Sequence, residues 1–167
     1  DISSASNGSQ DGLVTRNFDI CALALKLETN FKNLANAKGL GFHIDYPDDL
    51  CMLGDEKKIY SMLHHLVDNA IKFTNTGQIE IDINTDLTAQ TGQEIVFLVK
   101  DSGIGIDAKD HERIFSEVGQ LNDEHNREHY GVGLGLYYTN LLAQQFKGKI
   151  SVESALEQGA RFTLRLP

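Results

Sequence analysis

Cysteine is scarce in this sequence: Cys21 and Cys51 are the only two. They lack metal-ligand spacing and are too few for a disulfide framework, so reduced thiols of a cytosolic protein are expected. Long apolar runs are missing as well. Nothing approaches the roughly 18 to 20 unbroken apolar residues that a membrane span requires. The first residues carry no charged-then-apolar leader pattern, and a soluble piece is expected whatever its parent. Positive charge is in deficit, with 15 Lys and Arg against 24 Asp and Glu for a net −9. That balance argues against tight nonspecific binding to nucleic acid or anionic membranes, although a few local donors can still hold a phosphate. No G-x-x-x-x-G-K-[ST] segment exists, which excludes a P-loop. His43, His111, His125 and His129 form no H-x-x-x-H metal pair, and the adjacent His64 and His65 point apart if helical. Gly103, Gly105 and Ala108 fit a G-x-G-x-x-A pattern, but the next convincing strand begins only at Lys149, so no tight βαβ unit follows. There is no internal repeat.

What is present suffices for one domain with a tail, since 41% of the 167 residues are hydrophobic. Residues 1–12 are almost purely Ser, Asn, Gly, Asp and Gln and read as a linker; the domain is expected over residues 13–167. From 18 to 38, apolar residues recur at helical spacing (Ile20, Leu23, Leu27, Phe31, Leu34, Ala35), and Gly39 stops them. A short strand is expected over 41–46. Residues 55–74 give the clearest helix, with Ile59, Met62, Leu63, Leu66, Val67 and Ala70 on one stripe. Ile79, Ile81 and Ile83 alternate with polar residues as in a half-buried strand, a polar hairpin-like loop follows over 85–92, and 94–99 reads as a buried strand. Then come a glycine-rich turn at 101–106, a short helix near 110–115, a long polar stretch over 116–130, a helix from 131–135 to about 146, and strands at 149–154 and 160–166. Strands that follow one another directly predict an α+β two-layer sandwich.

Three segments can carry chemistry. His65, Asn69 and Lys72 share one flank of the long helix, with Phe73 at its edge. An amide oxygen, an ammonium and a ring in line suit a magnesium nucleotide; they equally suit an ordinary solvated flank. Asp101 ends a buried strand ahead of Ser102-Gly103-Ile104-Gly105-Ile106. An ionised carboxylate only accepts hydrogen bonds, so it can take one from the exocyclic amine of adenine and would repel the carbonyl of guanine. The glycines allow close approach of a flat ligand; a plain Asp-Gly turn would read the same. Gly131-Val132-Gly133-Leu134-Gly135 precedes a helix, whose free amides can bind phosphate; a flexible loop before a helix has the same composition.

The order of these pieces is far more specific than any one of them. Asn69-Ala70-Ile71-Lys72-Phe73-Thr74, then Asp101-Ser102-Gly103-Ile104-Gly105-Ile106, then Gly131-Val132-Gly133-Leu134-Gly135-Leu136 resembles the GHKL ATPase superfamily, and more narrowly the catalytic domain of sensor histidine kinases. The match extends over residues 13–167 and includes Asn17-Phe18-Asp19-Ile20, Lys38-Gly39-Leu40, Gly54-Asp55 and Gly159-Ala160-Arg161-Phe162. The resemblance implies a Bergerat fold: a mixed, mostly antiparallel sheet with helices on one face. It implies ATP and Mg2+ as cofactors. Asn69 would hold the metal, Lys72 would contact phosphate, Phe73 would pack near the base, and Asp101 would recognise adenine in a pocket shaped by Gly103, Gly105 and Ile106. Ile114 and Phe115 would belong to a phenylalanine box, and residues 116–130 to a mobile lid. Arg127 would steady γ-phosphate charge, and Gly131, Val132, Gly133, Leu134 and Gly135 would close the phosphate side.

The resemblance further implies phosphoryl transfer from ATP to a histidine on a dimerisation domain of the same parent, and a response regulator receiver domain downstream. It implies a cytoplasmic domain of a membrane-bound sensor, monomeric in isolation and with no nucleic-acid partner. Three departures stand against the pattern. His65 replaces the Asn of many histidine kinases and the Glu base of gyrase-like ATPases, leaving open whether it acts as base or ligand; with Lys72 and Arg127 it completes the expected catalytic set. Val118 stands where a second aromatic is common. No helical hairpin carries an acceptor histidine, since His111-Glu112-Arg113 has the composition but not the spacing. The competing readings are a nucleotide-binding interaction module with degenerate catalysis, and a gyrase-like ATPase or anti-sigma serine kinase.

Overall fold

Ile79, Ile81 and Ile83 all turn to one side of a single strand, each at most 1% exposed, and the whole fold is organised around that apolar side. The computed structural model describes residues 12–90, 92–117 and 135–167. In chain order the elements are β1 (Arg16–Asp19), α1 (Ile20–Ala37), β2 (Gly41–Asp45), β3 (Cys51–Gly54), α2 (Glu56–Lys72), β4 (Gln78–Asp86), β5 (Glu94–Asp101), α3 (Gly135–Gln145), β6 (Lys149–Ser154) and β7 (Ala160–Leu166). Five strands form one sheet in the order β2-β4-β5-β7-β6, parallel between β2 and β4 and antiparallel elsewhere. This is the expected α+β two-layer sandwich with a mixed, mostly antiparallel sheet. β1 and β3 form a separate antiparallel ribbon, which hydrophobic periodicity does not announce. The short helix expected near 110–115 is instead two single 3-10 turns, Ala108–Asp110 and Arg113–Phe115.

The two faces of the sheet differ as alternation demands. Ile95, Phe97 and Val99 of β5 and Phe162, Leu164 and Leu166 of β7 join the β4 isoleucines beneath the helices. The opposite face carries charge: Lys100 reaches Glu80 on its cross-strand partner at 3.1 Å, and Arg165 reaches Asp86 at 2.9 Å and Glu94 at 3.5 Å. Hydrogen bonds from Thr88, supported by Arg165, hold the Asp86 carboxyl down at about 2. Such exposed pairs add little stability singly; their main effect is to keep this face polar.

α2 lies centrally in the helical layer. Its predicted stripe is buried in full, with Ile71 added. Asp55 caps its start, accepting from Lys58 N at 3.2 Å and from Val14 N at 2.9 Å. α1 is capped by Asp19, which accepts from Cys21 N at 2.9 Å. Its buried face is Ile20, Leu23, Ala24, Leu27, Phe31 and Ala35. Leu34, expected on that stripe, is 55% exposed; it follows Phe31 by three residues but falls past the edge of the core face. α1 ends where Gly39 takes φ +74° and Leu40 N returns to Ala35 O at 2.9 Å. The turn delivers Lys38 to the far end of α2, where Nζ donates to the Ile71 carbonyl at 2.6 Å. A cation against the carbonyl end of a helix opposes its dipole. α1 thereby anchors the terminus of α2, which carries Asn69 and Phe73.

Candidate functional site

The end of α2, the 101–106 loop and β7 meet around one cleft. Asn69 and Phe73 enter from α2, Asp101, Gly105 and Ile106 from the loop, and Phe162 from β7. Five of the residues expected to bind nucleotide, Asn69, Phe73, Asp101, Gly105 and Ile106, therefore share one cavity. Ile114 and Leu136 close its apolar wall, and the Phe115 ring meets the Phe162 ring edge-on with centroids 6.2 Å apart.

Asp101 is the polar centre. It ends β5, opposite Ile79 on one side and Ala160 on the other, and is only 7% exposed. Burial pushes its carboxyl above the ordinary aspartate range; hydrogen bonds from the Gly103 and Ala160 amides and the Thr74 hydroxyl pull it partly back. Gly103 N donates to Oδ1 at 2.8 Å. A carboxylate has more acceptor capacity than these donors fill, and an apolar cleft beside it is a place for a ligand that donates.

The loop bearing Asp101 is built to touch its surroundings closely. A Cβ on Gly103 would lie 2.3 Å from the Phe73 carbonyl oxygen. Without it, Ile104 N donates to that same oxygen at 3.2 Å and docks the loop on the end of α2. Gly105 has φ +73°, and its absent Cβ would stand 1.9 Å from the Ala155 carbonyl oxygen. Gly103 thus supports the pocket from behind, whereas Gly105 lines it.

The flank of α2 is less convergent. The Asn69 side-chain nitrogen is buried without a hydrogen-bond partner among the described residues, so this amide is open to a ligand in the cleft. Lys72 does not line the cleft; its Nζ pairs with Asp68 at 2.9 Å and its side chain is 56% exposed. His65 also lies outside the lining and packs on the first residue of α3, where a Cβ on Gly135 would meet Nδ1 at 3.1 Å. The Tyr138 ring faces it edge-on at 6.0 Å. Burial, with help from the charges of His64 and Lys72 and against that of Asp68, lowers the His65 pKa. Arg127, Gly131, Val132, Gly133 and Leu134 lie outside the described residues, as does Val118.

Sequence reasoning gave Ser154 no place in the site, and gave Thr74 none beyond the end of the Asn69–Thr74 motif. Thr74 is fully buried beside Asp101, its hydroxyl 2.7 Å from Ala70 O, so its one proton is shared between that carbonyl and the Asp101 carboxylate. Ser154 accepts from Ile106 N at 2.8 Å. Ser154 has no spacing signal, because it acts through the three-dimensional position of a single hydroxyl; Thr74 carries only its place in the motif, which says nothing of its contact with Asp101.

A family model described as histidine kinase-, DNA gyrase B- and HSP90-like ATPase matches residues 54–167. The hybrid signal transduction protein dokA of Dictyostelium discoideum is 34% identical over 155 residues, which is 90% of this chain and 9% of dokA. The autoinducer 2 sensor kinase/phosphatase LuxQ of Vibrio vulnificus is 33% identical over 155 residues, 91% of this chain and 18% of LuxQ. The chain thus spans less than a fifth of the length of these curated relatives. Among solved structures, full-length ShkA in complex with AMPPNP superposes with a TM-score of 0.78 at 26% identity, over 93% of this chain and 31% of ShkA. The nucleotide-free catalytic domain of the histidine kinase ThkA gives 0.72 at 25% identity, over 92% of this chain and 95% of that one.

Proposed function

The chain belongs to the histidine kinase-, DNA gyrase B- and HSP90-like ATPase family, as an ATP-binding domain of the sensor histidine kinase kind, and from that membership we propose that it transfers the γ-phosphoryl group of Mg-ATP to a histidine on another domain of its parent. The observation that carries the reading furthest is the buried Asp101 carboxylate at the head of an apolar cleft. It accepts the exocyclic amine of adenine, while Phe73, Gly105 and Ile106 enclose the base. Asn69 faces the phosphates. No cluster of three His, Cys, Asp or Glu exists among the described residues, which therefore offer no cage for a cation. Asn69 would hold magnesium through its amide oxygen, and the ion would supply positive charge to the phosphates.

The phosphate chain then runs towards the start of α3, with Gly131, Val132, Gly133, Leu134 and Gly135 supplying amides and Arg127 a countercharge. Lys72 leaves Asp68 for phosphate, an exchange between two exposed partners that costs little. His65, kept neutral by burial, stands beside Gly135 as a proton acceptor or a hydrogen-bond donor. In the transfer the bond from γ-phosphorus to its bridging oxygen breaks, a phosphorus–nitrogen bond forms to the acceptor imidazole, and ADP leaves. The chain's residues contribute position and charge. The acceptor histidine and a receiver domain that takes the group onward belong to the rest of the signalling system, and the parent is a membrane sensor; among the described residues no helix is long and apolar enough to cross a membrane.

The test is phosphorylation of the full-length parent with γ-labelled ATP. The expected product is acid-labile and alkali-stable, as a phosphoramidate is, and Asn69→Ala slows its formation about a hundredfold or more. Acid-stable label, or an unchanged rate in Asn69→Ala, contradicts the proposal.

A further inference from the structure

The loop that carries Asp101 is held against the β6–β7 turn by more contacts than a hairpin needs for its own closure. Ser154, Ala160 and Asp101 form one row across three neighbouring strands: Ser154 pairs with Ala160, and Ala160 with Asp101. Glu157 N donates to Ile104 O at 2.6 Å and Gly159 N to Gly103 O at 3.0 Å. Between these backbone contacts sits a single side chain. Ser154 Oγ accepts from Ile106 N at 2.8 Å and donates to Gly159 O at 2.6 Å. The second bond closes the hairpin turn. The first reaches a residue 48 positions back in the chain, which hairpin closure does not require. Both ends of this bridge adjoin the cleft: Ile106 lines it directly, and Gly159 precedes Ala160, which also lines it.

We infer that Ser154 is a positioning residue for the nucleotide, its hydroxyl setting the separation of the two walls of the adenine pocket by tying Ile106 on the loop to Gly159 on the turn. This rests on the reading of the cleft as the adenine site. Ser154 does not touch the ligand; it acts through Ile106 and Ala160. Both hydrogen-bonding roles of the hydroxyl are used, so no apolar replacement keeps the bridge. Loss of the acceptor leaves a part-buried Ile106 amide unpaired, and that amide's residue is free to move away from the base. The effect falls on the base end of the ligand and is blind to the number of phosphates.

The experiment titrates Mg-ADP and AMP into wild type, Ser154→Ala, Ser154→Thr and Lys72→Ala, with amide hydrogen exchange followed at Ile106. Ser154→Ala is expected to weaken ADP and AMP by the same factor, roughly tenfold. Ser154→Thr keeps the hydroxyl and restores binding. Lys72→Ala weakens ADP much more than AMP. In the full-length parent, Ser154→Ala raises KM for ATP and leaves kcat at saturation unchanged, a split that general loosening of the fold does not produce. Wild-type affinity in Ser154→Ala overturns the inference, as does a loss that differs between ADP and AMP or is not rescued by Thr. Should Ser154→Ala fail to fold, the Thr variant and the wild-type Ile106 amide still decide: poor binding by the first, or exchange of the second at the rate of an open loop, overturns it. If wild type binds no adenine nucleotide, the adenine reading itself falls and takes this inference with it, an outcome separate from wild-type binding that Ser154→Ala leaves intact.

Discussion

Asp101→Asn is expected to weaken adenine nucleotide binding about a hundredfold or more without lowering the thermal midpoint of the domain. The two halves of this result have one origin. A charged hydrogen-bond acceptor is worth about 1.5–3 kcal/mol to a donor in a desolvated site, and an amide that turns its NH2 towards the ligand sets donor against donor. Sites built around a specific polar pair discriminate strongly for that reason. The same desolvation makes the carboxylate a burden to the empty domain. Its pKa is raised in the folded state, with burial as the leading cause. The stability linked to a raised carboxyl pKa is fully present below the unfolded value and is lost as pH rises through the folded value. At neutral pH the ionised Asp101 therefore works against the fold, and an uncharged Asn does not. The sign also predicts the pH dependence of binding. As pH falls through the raised pKa, Asp101 gains a proton and loses acceptor capacity, so adenine affinity drops at a pH above the one where an ordinary aspartate titrates. Calorimetry across that range together with thermal melts checks all three statements.

Gly105→Ala is expected to abolish nucleotide binding and to destabilise the domain by about 3 kcal/mol or more. Two costs combine. At φ +73° any residue with a Cβ is strained, by about 1–2 kcal/mol. The new methyl would also stand 1.9 Å from the Ala155 carbonyl oxygen and 2.8 Å from its carbon. Both are backbone atoms of a turn already bound to the same loop, so neither can retreat alone. Relief requires the turn and the loop to part, breaking the Glu157–Ile104 and Gly159–Gly103 hydrogen bonds. For a domain of this size the melting temperature falls by roughly 8 °C. Gly39→Ala provides the control: φ is +74°, yet nothing lies within 4 Å of the missing Cβ, so only the backbone term remains. Equal melting temperatures for the two variants would contradict the clash.

Legibility in the sequence followed the physics of each element. α2 was readable because seventeen residues give the helical period room to repeat, and β4 because three isoleucines alternate in one strand. β1 and β3 are four residues each, too short for alternation to stand out, and β1 buries only Phe18. Leu34 misled because a helical stripe has edges that hydrophobicity alone does not define. The site divided along the same line. Asn69, Phe73, Asp101, Gly105 and Ile106 belong to contiguous motifs and line the cleft as a group. Lys72 also belongs to a motif, but its long side chain is paired with Asp68, which sequence spacing also allows. Ser154 became visible only once strand pairing set it beside Ala160 and within reach of Ile106, since a lone hydroxyl carries no periodic signal. Thr74 closes the Asn69–Thr74 motif, but only the helix end shows it beside Asp101.

The most direct measurement is a paired titration of Mg-ADP and Mg-GDP into wild type and Asp101→Asn. The expected result is binding of ADP, GDP at least a hundredfold weaker, and loss of that preference in the variant, because a carboxylate welcomes the amine of adenine and repels the carbonyl of guanine. Equal affinity of wild type for the two nucleotides, or binding of neither by a well-folded sample, would contradict an adenine pocket built around Asp101.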